Sequence, residues 1–152
     1  MKRHETVGFL ILRLFFAQFW VLQMIGKARD QESGITSVHN LGIWSQHTSE
    51  WMARTTPLPT WMLEPFTTGL PFVEVTLGTL LLIGLATRYA LAASALLIIS
   101  LDVGLMFQLK HDVVATNTIY LLAIVLALAW QPYNRFALDN LFGRAATRPA
   151  PP

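Results

Sequence analysis

Cysteine is absent from the 152 residues. Disulfide frameworks, thiolate metal sites, iron–sulfur clusters and cysteine-based redox mechanisms are thereby excluded. Charge is the next scarcity. Asp, Glu, Lys and Arg make up 13% of the chain, about half of the ~25% usual in a soluble domain. A small soluble domain must cover its surface with polar groups, and these side chains are too few. Disorder is disfavoured too, because it needs low hydrophobicity and high charge. No Gly-rich phosphate loop or dinucleotide fingerprint occurs, and no motif supports a Ser-His-Asp arrangement. The sequence pI of 9.3 is explained by a basic cytoplasmic rim, so nucleic acid is not an expected partner.

What the chain has instead is apolar: 53% hydrophobic residues and a mean hydropathy of +0.46. These residues gather into four runs, at about 7–26, 66–87, 89–109 and 113–131, each near the ~20 residues that cross a bilayer. Only helices or a closed barrel satisfy every backbone group in lipid, and these runs do not alternate with period two. The expected fold is an all-α membrane protein with a four-transmembrane-helix bundle. The first run follows Lys2 and Arg3 but contains Arg13 and lacks a small-residue cleavage site, so it reads as an uncleaved helix rather than a signal peptide.

The connection over 27–65 is the only long one. Ile35, Val38, Leu41, Trp44, Thr48, Trp51 and Met52 recur there at helical spacing, which predicts an amphipathic interfacial helix over 35–55, ended before Pro57 and Pro59. Lys2, Arg3, Arg88, Arg135, Arg144 and Arg148 lie on one side of the spans, against Lys27, Arg29, Arg54 and Lys110 on the other. By the positive-inside rule both termini face the cytoplasm and the long loop faces outward. Residues 1–143 read as one membrane domain, and 144–152, rich in Pro and Ala, as a disordered tail.

Polar groups inside a span are functional candidates by default. Measured along the helices from the cytoplasmic ends, Gln23, Glu74, Asp102 and Asn117 fall in one layer ~20–24 Å deep, one on each helix. That common level predicts a polar pocket of Gln23, Lys27, Glu74, Asp102 and Asn117, with Lys27 reaching down along its apolar stem to Glu74. Glu74 and Asp102 are the candidate catalytic carboxyls, suited to handling protons. The bland reading of the same residues is interhelical glue. Arg13 lies near the opposite edge and is expected to snorkel there. His39, His47 and His111 fall on the outer side. They are weak metal candidates, since their spacing matches no metal motif. No histidine lies mid-helix, which argues against haem ligated within the bundle.

The segment from Pro71 to Ile98 resembles the DoxX family: Glu74, Gly78, Gly84 and the Thr87-Arg88 turn stand in that family's pattern. Arg13, Gly26-Lys27, Asn117 and Leu138-Asp139 are similar as well, whereas residues 28–57 are longer than usual. The resemblance implies a prokaryotic inner-membrane protein. Its family includes the small subunit of a thiosulfate:quinone oxidoreductase, and relatives act with redox partners or help the maturation of exported enzymes. On this footing the expected function is a non-catalytic, accessory subunit of a membrane redox assembly. It would contact lipid, quinone, other membrane subunits or pigment-bearing partners. The alternative is a quinone-linked oxidoreductase using Glu74 and Asp102.

Overall fold

The structure, a computed structural model, describes residues 2–30, 33–134 and 136–139. Five α-helices follow one another: α1 (Lys2–Ala28), α2 (Val38–Thr55), α3 (Thr60–Ile83), α4 (Thr87–Phe107) and α5 (His111–Ala129), with a 3₁₀ turn over Gln131–Tyr133. Among the described residues no strand forms; Arg29 and Thr36 make an isolated bridge. Four of the helices, α1, α3, α4 and α5, are long and apolar enough to cross a membrane. The tail expected from 144 onward lies outside the described residues.

The helix boundaries move by a few residues from the sequence expectation, and the second span moves most. A proline at 65 reads as a boundary, which places the expected start at Phe66. The helix in fact begins at Thr60 and runs through Pro65 and Pro71. Each proline removes one N–H and costs a helical bond. Starting at Thr60 buries Leu63 at the bundle and leaves Trp61 exposed. The helix ends at Gly84, whose φ of 71° is the left-handed stop glycine accepts readily. Two residues later Ala86 also sits at positive φ, 48°, and α4 starts. So short a turn makes α3 and α4 antiparallel neighbours.

The core lies where α1 meets the other spans. Phe9, Phe16, Ala17 and Trp20 of α1 pack with Leu77 and Leu81 of α3, Leu91 and Ile98 of α4, and Ile124 of α5. The α1–α3 seam is the most extensive contact, and one glycine makes it close. A Cβ on Gly78 would lie 2.7 Å from Val21 Cγ2 and 3.0 Å from the Ala17 carbonyl oxygen. Small residues that let backbones approach are the usual basis of helix packing in lipid, where dispersion replaces the hydrophobic driving force. Trp20 donates its indole N–H to Ser94 Oγ at 2.8 Å, a buried bond that ties α1 to α4.

Helix α2 forms as the spacing predicts, beginning at Val38 behind Ser37, whose side chain accepts from the Asn40 N–H. Its buried face is partly polar. Ser45 Oγ shares hydrogen bonds with Thr67 Oγ1 at 3.1 Å and Thr68 Oγ1 at 2.9 Å on α3. Trp44, Thr48 and Met52 turn toward the bundle end, while Ile35 and Val38 are exposed. The helix thus covers the Lys27 end of the bundle as a cap.

Candidate functional site

Lys27, in the last turn of α1, reaches Glu74 in the middle of α3, and Nζ donates to Oε1. The side chains are 13% and 2% exposed, so both charges are withdrawn from solvent and each depends on the other. Trp44 of α2 lies over the ammonium, its ring centroid 5.0 Å from Nζ. A cation over an indole face gains from the ring quadrupole, the more so when desolvated. Glu74 Oε2 is buried with no hydrogen-bond partner. The site therefore carries no net charge, and one of its carboxylate oxygens has spare accepting capacity.

The other members of the expected layer lie elsewhere. Asp102 of α4 accepts from Asn117 Nδ2 of α5 at 2.5 Å, and this pair is half-buried. Among the described residues no hydrogen bond or ion pair joins it to Lys27 and Glu74. Gln23, expected inside the bundle, is exposed and lines a cleft with Gln18, Phe19 and Tyr120 between α1 and α5. The expected single pocket is thus two interhelical pairs and one outward glutamine. His39, His47 and His111 are all exposed, and among the described residues no three metal-ligating side chains come together.

Arg13 departs from expectation in the opposite direction. It is buried, and its Nη1 donates to Asn134 Oδ1 at 3.0 Å and to the Phe136 carbonyl at 2.5 Å. Asn134 Nδ2 in turn donates to Thr87 Oγ1 at 3.0 Å. The Asp139 carboxylate accepts from the backbone N–H groups of Ala86 and Thr87, at 2.6 and 3.0 Å, and so caps α4. A long side chain snorkels only when water is nearer than a partner. Here the segment after α5 folds back and supplies acceptors on the spot. Gly84 makes room for this knot: a Cβ there would lie 2.6 Å from Arg13 Nη1 and 2.8 Å from Ala137.

Two residues not expected in the polar pocket complete the Lys27 end. Trp51 of α2 stands beneath Lys110 Nζ, 5.0 Å from its ring centroid. Gln108, at the end of α4, has a buried Oε1 with no donor. Both line a cavity of about 180 Å³ with Lys27, Trp44, Leu101 and Leu105. The available signal was aromatic: Trp44 and Trp51 one heptad apart, facing a lysine at each neighbouring helix end.

Fold and site together define an integral membrane protein of four spans, capped by an amphipathic helix over a buried Lys–Glu pair. Residues 6–116 match the family described as methylamine utilisation protein MauE, and the chain belongs to that family. The DoxX resemblance therefore gives way to a different family. No curated protein and no solved structure matches the chain.

Proposed function

We propose that the chain is a non-catalytic membrane subunit of the electron-transfer system that serves methylamine dehydrogenase. Family membership across 6–116 carries this reading. Side-chain chemistry supports it. Lys27 and Glu74 neutralise each other, and Asp102 is engaged by Asn117, so the intramembrane charges serve helix association. A quinone-linked oxidoreductase using Glu74 and Asp102 as a proton pair has less support, because the two carboxyls bind different partners. By the Lys and Arg count both termini face the cytoplasm of a prokaryotic inner membrane, and α2 lies on the outer surface.

The reading is tested by affinity purification of the tagged chain from native membranes in mild detergent. Methylamine dehydrogenase or its electron-transfer components are expected to come with it. Recovery of the folded chain alone, from cells actively oxidising methylamine, contradicts the proposal.

A further inference from the structure

Helix α1 buries one face in the core and leaves the opposite one bare. Phe9, Arg13, Phe16, Ala17 and Trp20 are buried, whereas Ile11, Phe15, Gln18, Leu22 and Ile25 on the far side are exposed. The exposed residues recur at intervals of four, three, four and three, the a/d spacing of a helix that packs along another helix. Gln18 is the one polar member of that row. It sits near the middle of the His4–Ala28 span, about 16 Å along the helix from Val7. Its short side chain cannot reach water from there. Among the described residues neither Gln18 nor Gln23, further out on the same helix, makes a hydrogen bond.

Gln18 borders an open cleft of about 300 Å³ between α1 and α5. Rings form its wall: the Tyr120 centroid lies 5.0 Å from that of Phe19 and 6.2 Å from that of Phe15. Helix α5 is the least covered of the four spans. The face is also uncharged, since Arg13, the one charge on α1 between Val7 and Gly26, is buried in the core. A lipid tail can fill such a cleft but brings the carboxamide neither donor nor acceptor, and an unpaired amide in hydrocarbon is costly. The fitting occupant carries both.

We infer that this face joins two copies of the chain in a parallel dimer, with α1 at the seam and a Gln18 pair at its centre. Two copies inserted in the same sense set α1 beside α1 in parallel, so residues of equal depth meet. Gln18 then faces Gln18, and a carboxamide is its own complement: each NH₂ donates to the other copy's C=O. Ile11, Phe15, Leu22 and Ile25 pack on their counterparts around it, apolar against apolar. Lys27 lies on the other side of α1, held by Glu74, so pairing leaves that site as it stands. The inference uses only the bare face of α1 and is independent of the electron-transfer reading.

The test exploits the absence of cysteine. Ile11→Cys and Leu22→Cys, on the seam to either side of Gln18, are oxidised in native membranes. Val73→Cys on α3 and Leu96→Cys on α4 are the exposed positions off the seam. The two seam variants are expected to form a disulfide-linked species of twice the chain's mass, and the other two to stay monomeric. Co-expressed copies with different tags establish that both halves are this chain. Energy transfer between labelled chains in lipid vesicles then gives the dimer affinity. Gln18→Leu is expected to weaken it about three- to thirtyfold, the worth of an interhelical hydrogen bond in lipid, and Gln18→Asn to retain most of it. Position 18 faces outward, so Gln18→Leu should fold as the parent does. Missing seam cross-links, equal cross-linking at Val73→Cys or Leu96→Cys, a different protein in place of the second copy, or unaltered affinity in Gln18→Leu overturns the inference. Each of these failures is distinct from loss of co-purification with the electron-transfer components.

Discussion

Lys27 and Glu74 are 47 residues apart in sequence and meet across the α1–α3 seam. Removing one partner of a buried pair leaves the other charge uncompensated, which costs ~3–5 kcal/mol. Glu74→Leu and Lys27→Met are each expected to lower stability by about that much in detergent unfolding. The double replacement should recover most of the loss, a strongly non-additive cycle. Arg13→Lys is the complementary case. Both bonds, to Asn134 and to the Phe136 carbonyl, come from Nη1 at the far end of the guanidinium, a point the shorter lysine side chain does not reach with the same geometry. A loss of about 1–3 kcal/mol is expected in the same measurement, the range for hydrogen bonds to charged groups; no loss would mean that Arg13 finds water instead. The sequence exposes Lys27 and Glu74 because a charge in an apolar run demands a partner. It does not place Gln23, because a helix that is apolar nearly all round carries little information about its own rotation. Arg13 was misplaced for another reason: its acceptors come from Asn134 and Phe136, beyond the last span, where no periodic pattern points.

At the level of elements, glycines and caps decide how closely the helices approach. Gly78→Ala pushes a methyl into Val21 and should destabilise the bundle by ~1–3 kcal/mol, with Val21→Ala restoring part of it. Full stability of the single variant would mean that the α1–α3 seam relaxes at no cost. Asp139→Ala removes the carboxylate that caps α4 and should cost ~0.5–2 kcal/mol. Four spans and an amphipathic α2 are legible in the sequence because run length and helical spacing report directly on burial in lipid and at its surface. The start of α3 is not, since Pro65 looks like a stop and is carried inside a helix whose other contacts outweigh one lost bond. Nor is the floor of the Lys27-end cavity, which needs α2 folded against α4. That approach depends on Gly104 and Met52, residues unremarkable on their own.

For the molecule as a whole, sidedness and role are coupled: the proposed function puts α2 and Trp44 on the outer face of the membrane. The lack of cysteine makes this measurable with single-site probes. His39→Cys should react with an impermeant maleimide from outside the cell, and Arg88→Cys only after permeabilisation. The reverse pattern would invert the topology. The central claim, that this chain supports methylamine oxidation from within the membrane without turning over substrate, is tested most directly by methylamine-dependent oxygen uptake in cells with and without it. Uptake should collapse when the chain is removed and return when it is restored, while uptake on other substrates stays unchanged. Undiminished methylamine-dependent uptake in its absence would contradict the account.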